Sequence, residues 1–214
     1  MRHREPVLRS YAVVHPPGTV HLPTQAGWQQ LLQAGAGALT ATATGARWTV
    51  PSGRVLVVPP DVAVEVTTGH RPTPVRCLYL SPSIAETGGE VRVVEPTPLG
   101  RALLDRAAAL APADGADPDL PALLALLRAE VLAAPSAPLA LRLPTDPRAR
   151  SVAERILDDP SPDLEDLVQP VGASRRTIER LFRDELGTSP ARWQRRARVL
   201  RGLELLEAGH SVSS

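Results

Sequence analysis

Six side chains between Ser174 and Leu186 have the types and spacing needed to grip a polyanion: Arg175, Arg176, Thr177, Glu179, Arg180 and Arg183. On a helix beginning near Arg175 they lie on or near one solvent side, opposite Ile178, Leu181 and Phe182. Guanidinium groups so arranged can fork onto guanine edges in a major groove or onto backbone phosphates. Arg175, Arg176, Thr177 and Arg180 are the candidates for groove contact, and Arg183 is better placed for phosphate. The competing reading of the same arginines is an ordinary solvated helix surface.

Holding these residues in place requires a corner. Leu164, Leu167 and Val168 give a short helix over 163–169 an apolar face, and two helices this short must pack across the turn that joins them. Gly172 stands where a tight corner wants positive φ, and Ser174 can cap the next helix. Pro170 ends the first helix early, and Val168 is bulkier than the small residue often wanted where such helices cross. The pattern is a helix-turn-helix, and double-stranded DNA is the partner it implies.

Flanking segments extend the unit. Arg148–Leu157 predicts a helix with Val152 and Ile156 inward. Gly187, Ser189 and Pro190 end one helix and begin another, which runs to about Leu206 with Trp193, Ala197 and Leu200 inward. Arg192, Arg195 and Arg196 on it are candidates for phosphate contact or for pairing with nearby acids. The 214-residue chain carries a net charge of only +1, but the charge is unevenly placed. Nine Arg stand against three acids between Ser174 and Arg201, while three Arg face seven acids between Asp146 and Asp166. Such a distribution is a local footprint for phosphate. All basic side chains other than His are Arg, a compositional bias that discounts any single Arg cluster.

From Tyr11 to about Leu80 the chain shows short β-branched runs broken by Pro and Gly. They are 31–34, 38–43, a turn at Thr44-Gly45, then 47–50, 54–58, 62–67 and 75–80. Six or more short strands at hairpin spacing predict a sandwich or barrel rather than alternating strands and helices. Trp28, Gln30, Trp48, Arg76 and Tyr79 are candidate contacts for a small organic ligand, with Gln33 and Arg47 as further polar groups. The plainer reading is that the aromatics fill the interior. Two Leu/Ala-rich helices follow: the first carries Leu99, Leu103, Ala107 and Leu110, and the second, capped by Asp119, carries Leu120, Leu123, Leu124, Leu127 and Val131. They could cover the strands, pack on the helix-turn-helix, or pair with a second copy. Residues 135–146, with Pro135, Pro138 and Pro144, predict a stiff linker.

A single cysteine, Cys77, excludes an internal disulfide and offers no metal spacing, which suits a reducing cytoplasm. The N-terminal apolar run is too short for a signal peptide, and no apolar span of membrane length occurs. His3, His15, His21, His70 and His210 are scattered.

Leu164, Leu167, Gly172, Ser174, Arg175, Leu181, Phe182, Gly187, Ser189-Pro190, Trp193 and Arg198 follow, in order and spacing, the first half of the DNA-binding domain of the AraC/XylS-type regulators, which the back of the chain resembles. Pro51-Ser52-Gly53 leading into 54–58 and then Pro59-Pro60-Asp61 resembles the cupin sensor that precedes that domain. The resemblance implies a mixed α and β chain: a cupin-like double-sheet β-barrel over 1–96, a helical connector over 97–134 that could dimerise, a linker over 135–146, and a helix-turn-helix domain over 147–214. Family members carry two helix-turn-helix units. Here the sequence from Glu207 to Ser214 resembles only the cap and first residues of the helix that would begin the second, so a chain shortened after the first unit is expected.

Metal-binding cupins place paired His where this chain has Thr24-Gln25-Ala26 and another where it has Val64. No metal, no cofactor and no catalysis are therefore expected. The expected function is a cytoplasmic, dimeric, DNA-binding transcription regulator controlled by a small organic ligand. DNA binding is expected to be weakened by the missing second unit. The alternative is an interaction protein that pairs through its strands or connector helices and does not bind DNA.

Overall fold

The computed structural model of the chain describes residues 5–22, 26–69, 71–84, 89–114 and 116–211, with 20 and 21 described in backbone only. Nine strands come first: β1 (Leu8–His15), β2 (Gly18–His21), β3 (Gln29–Ala34), β4 (Ala38–Ala43), β5 (Ala46–Pro51), β6 (Val55–Val58), β7 (Glu65–Thr68), β8 (Thr73–Leu80) and β9 (Arg92–Val94). Helices α1 (Pro98–Leu110) and α2 (Leu120–Ala133) follow, then the short strands β10 (Ser136–Ala137) and β11 (Ala140–Arg142). The chain continues through α3 (Pro147–Asp158), α4 (Leu164–Val168), α5 (Arg175–Leu186) and α6 (Pro190–Glu207).

The strands form two antiparallel sheets, a six-stranded one in the order β1-β8-β3-β6-β9-β10 and a five-stranded one in the order β11-β5-β4-β7-β2. Neither closes, so the expected barrel is corrected to an open sandwich with two edges on each sheet. Proline gives the reason. Where two edge strands follow one another along the chain, it passes from one sheet to the other at Pro16-Pro17, between β1 and β2, and at Pro138, between β10 and β11. A residue without an N–H cannot continue a ladder around that corner.

Alternation along the strands sorts side chains between two layers. Leu32, Ala34, Leu39, Ala41, Trp48, Leu56, Val66, Val75 and Cys77 meet between the sheets, together with Trp28 and Tyr79. Leu8, Leu31, Val55, Val57, Leu78, Leu80 and Val94 point away from that interior. They are covered by Leu103, Leu104 and Ala107 of α1 and Leu120, Leu124, Leu127 and Val131 of α2. Of the three partners open to the connector helices, they therefore take the sandwich. Leu99, expected on the buried face of the first helix, is 52% exposed. Thr97 caps α1 through the Gly100 amide, whereas Asp119 makes no side-chain cap on α2.

The expected linker over 135–146 is not free. β10 pairs with β9, and β11 pairs with β5 through Ala140↔Trp48, Leu141↔Arg47 and Arg142↔Ala46. The Leu139 carbonyl accepts from the Thr49 amide, and the Leu143 amide donates to the Gly45 carbonyl. Three prolines did suggest stiffness, but β-pairing supplies it. Leu141 and Leu143 then join Ala149, Val152, Ile156, Leu164, Leu167, Ile178, Phe182, Trp193 and Leu200 in a third core, built from α3 to α6.

Candidate nucleic-acid interface

Leu164, Leu167 and Val168 are the buried residues of α4, whose five residues pass into a single 3-10 turn, Gln169–Val171, that takes in Pro170. Val168 is 4% exposed and fits in the crossing despite its bulk. Gly172 sits at φ 65° and ψ 25°, in the left-handed region where a Cβ is costly. At Ser174 the chain is extended, and its hydroxyl accepts from the Thr177 amide at 3.2 Å. Gly187 closes α5 in the left-handed region, with its amide bonded to the Arg183 carbonyl. Ser189 caps α6 through the Arg192 amide, and Pro190 takes the first turn, where its missing N–H costs nothing.

Phe182 is fully buried and meets Trp193 edge to face, with ring centroids 6.0 Å apart. The Trp193 indole N–H donates to the Arg142 carbonyl at 2.9 Å, so this aromatic pair also ties α6 to the end of β11. At the C-terminal end of α5, Glu185 accepts from the Thr145 amide, the Thr145 hydroxyl at 2.7 Å and the Asp146 amide at 3.1 Å. The Thr145 hydroxyl and amide together hold its carboxyl below the usual range. Asp146 caps α3, and the Arg148 side chain beside it lowers its carboxyl to about 2.

With its apolar stripe anchored, α5 turns Arg176, Thr177, Glu179, Arg180 and Arg183 outward around a shallow open concavity that Ser174 also lines. The arginines there are not equivalent. Arg175 leans back, its Nε 3.0 Å from Glu179 and its Nη1 3.5 Å from Glu165. Arg180 lies 3.7 Å from Asp184, and Arg183 lies 3.9 Å from Glu179. Exposed i,i+4 pairs of this kind are worth only about 0.3–0.5 kcal/mol, so an incoming phosphate can compete for these guanidinium groups.

On α6, Arg196 donates to the Pro138 carbonyl, and Arg198 to the Pro160 and Ser161 carbonyls. Arg196, a candidate for phosphate contact, is in this structure a strut. Gln194 does the same work from inside: it is 5% exposed and its amide donates to the Pro160 and Pro162 carbonyls. A polar residue on the apolar stripe Pro190, Trp193, Gln194, Ala197, Leu200 was a signal for this role. Nothing in the sequence pointed to Glu185.

The ligand candidates divide. Cross-strand pairing Arg9↔Tyr79, Gln30↔Tyr79 and Gln30↔Val58 places one rung of side chains on the same, inner face of the six-stranded sheet. Trp28, Gln30 and Tyr79 there, and Trp48 facing them from β5, are all at most 7% exposed, and the Arg9 guanidinium lies 4.7 Å from the Trp28 ring centroid. Among the described residues the buried Tyr79 hydroxyl has no hydrogen-bond partner, and burial, with the Cys77 thiol beside it, raises its pKa. Burial also pushes the Cys77 thiol up to about 12. Arg76 is the exception: three residues from Tyr79, it has the opposite parity. It points outward, bonding Gln33 at 2.8 Å and Asp105 of α1 at 2.8 Å. Arg47 faces outward too, 3.5 Å from the Thr40 hydroxyl.

Among the described residues, no three His, Cys, Asp or Glu side chains stand together where they could hold a metal ion, and no helix is long and apolar enough to cross a membrane. Of the positions where a cupin would carry metal ligands, Val64 is buried, while Thr24 and Gln25 lie outside the described residues, as do His3, His70 and the side chain of His21.

No protein-family model matches the chain, and no curated protein matches its sequence. Solved structures with a similar chain path include ToxT from Vibrio cholerae O395, at 10% identity and a TM-score of 0.42, covering 95% of this chain and 83% of that one. Apo ToxT K231A from Vibrio cholerae strain SCE256 matches at 7% identity and a TM-score of 0.47, over 98% of this chain and 86% of that one. KdgF from Halomonas sp. matches over 35% of this chain and 70% of its own, at 21% identity and a TM-score of 0.32. None of these likenesses carries a function across to this chain.

Proposed function

We propose that the chain is a DNA-binding transcription regulator, with α5 as its recognition helix. The observation that carries this reading is the corner at Gly172, which crosses two short helices and leaves Arg176, Thr177, Arg180 and Arg183 together on the open side of α5. Arg176 and Arg180 take the groove edges, Arg183 and Arg192 the phosphates, and Arg175 steadies the helix through Glu165 and Glu179 until a phosphate draws it away. No step of this function needs catalysis or a cofactor.

The sandwich is proposed as the sensor half. Trp28, Gln30, Trp48 and Tyr79 face its interior, and the buried Tyr79 hydroxyl, without a hydrogen-bond partner among the described residues, favours a small molecule bearing a hydrogen-bond acceptor. A dimer fits the reading, since one helix-turn-helix makes few phosphate contacts and two half-sites would add affinity. α2 favours it too. Beyond its buried face it exposes Ala122, Ala125, Leu126, Ala129, Leu132 and Ala133, a second apolar stripe at helical spacing. That stripe equally favours the second reading, an interaction protein of the cytoplasm that pairs through α2 and leaves DNA alone.

Fluorescence anisotropy of labelled promoter-region duplex across a salt series separates the two. The regulator is expected to bind saturably, with log affinity falling by about 0.9 per neutralised phosphate per decade of salt. Arg176→Ala with Arg180→Ala is expected to weaken binding at least about tenfold, each groove contact being worth about 1–3 kcal/mol. Binding unmoved by the pair would overturn the site, and no saturable binding at low salt would leave the interaction protein.

A further inference from the structure

The described residues form three cores, and two of them meet at the junction between sandwich and helices. Apolar continuity between the sandwich interior and the α3–α6 core runs through 139–143: Leu139 packs on both, and Leu141 and Leu143 belong to the second. Elsewhere the junction is bridged by polar contacts. Glu204 of α6, with its side chain 16% exposed, accepts from the Thr40 hydroxyl at 3.3 Å and the Thr49 hydroxyl at 3.1 Å, and pairs with Arg201 at 3.2 Å. One turn on, Glu207 accepts from the Ser52 hydroxyl at 2.6 Å and the Ser52 amide at 3.3 Å. Thr40 and Thr49 are themselves buried on the outer face of the five-stranded sheet, so each hydroxyl needs the carboxylate it has found.

A cavity of about 220 Å³ remains beside these contacts, lined in part by Ala36, Gly37, Arg71, Leu205 and Ala208. The junction is thus bonded at points and not packed throughout. Carboxylate-to-hydroxyl contacts give back to water what they took from it when they part, unlike a close-packed apolar layer.

We propose that Glu204 and Glu207 form a releasable lock that holds the α3–α6 unit against the five-stranded sheet, with β11 as the pivot. Closed, the lock gives α5 one orientation relative to the sandwich. Open, the helical unit swings about β11, whose ladder to β5 stays in place together with Leu141 and the following Leu143. Glu185 makes α5 follow the swing, because it ties the end of that helix to Thr145 and Asp146, directly after the pivot. The lock is defined by geometry alone, and only its consequence for DNA rests on the regulator reading above.

The test uses the full chain carrying Glu204→Ala and Glu207→Ala together and, from the sandwich side, Thr49→Val. Hydrogen exchange resolved by residue is expected to show the Leu141 and Leu143 amides keeping their wild-type protection in the double variant. Small-angle scattering is expected to show a larger radius of gyration in both the double variant and Thr49→Val. An unchanged radius in both would overturn the lock, and loss of protection at Leu141 and Leu143 would overturn the pivot. Anisotropy on the same variants keeps the two readings apart: a lock that opens as described in a protein that binds no duplex in either form sinks the regulator and leaves the lock standing.

Discussion

The two outer faces of the sandwich are covered by helices in opposite ways. Over the six-stranded sheet, α1 and α2 lay Leu103, Leu104, Ala107, Leu120, Leu124 and Leu127 onto Leu31, Val55, Val57 and Leu78, an apolar layer with every one of these side chains at most 9% exposed. Over the five-stranded sheet, α6 reaches Thr40, Thr49 and Ser52 with carboxylates. An apolar layer gains from every square ångström removed from water and loses all of that on parting. Hydrogen bonds to hydroxyls net far less, because water offers nearly as good a partner. One helical cover is held by a close-packed apolar layer and the other, beyond 139–143, by hydrogen bonds at a few points.

Breaking the cores should show the contrast at its largest. Phe182→Ala removes the ring that packs on Trp193 and is expected to cost about 3–5 kcal/mol in chemical denaturation, felt in α3–α6. Leu104→Ala, in the apolar cover, should cost about 2–5 kcal/mol. Glu204→Ala should cost less, about 1–3 kcal/mol, the penalty of stranding the Thr40 and Thr49 hydroxyls. A Glu204→Ala cost as large as that of Leu104→Ala would erase the distinction between the two covers.

Acid should act on the helical unit before it acts on the apolar cover. Asp146, lowered to about 2, and Glu185, also lowered, have folded-state values below their unfolded ones. Their contribution is therefore fully present above the ordinary carboxylate range of about 4 and is lost as the pH falls through their folded values. Far-UV and near-UV circular dichroism between about pH 4 and pH 2 should show the Trp193 environment loosening while the sheet signal persists. The smallest effect is expected at the proposed interface itself. Arg180→Ala, at an exposed pair, should move stability by no more than about 0.5 kcal/mol while weakening duplex binding.

Much of this was written in local sequence. Thr44 and Gly45, both at positive φ, make the two-residue turn joining β4 to β5. Gly172, Ser174, Gly187 and Ser189-Pro190 mark their corners because each meets a need of a few neighbouring atoms. Strand parity could also have been read further: Arg76 and Tyr79, three apart on one strand, cannot face the same interior. Other features had no local signature. Whether two sheets close depends on which strands become edges, and β9, β10 and β11 are too short to announce themselves.

By itself the sequence determined the two-part plan, the corner at Gly172 and the arginine face of α5, because these follow from periodicity, φ preference and capping within a dozen residues. Only the tertiary structure decided that the expected linker gives one strand to each sheet of the sandwich, that Arg76 serves α1 and that Arg196 is a strut. It alone placed Glu185, Glu204 and Glu207 on partners as many as 164 residues away. A carboxylate's partner is chosen by which donors the packed cores bring within hydrogen-bonding reach of it, and no spacing along the chain encodes that.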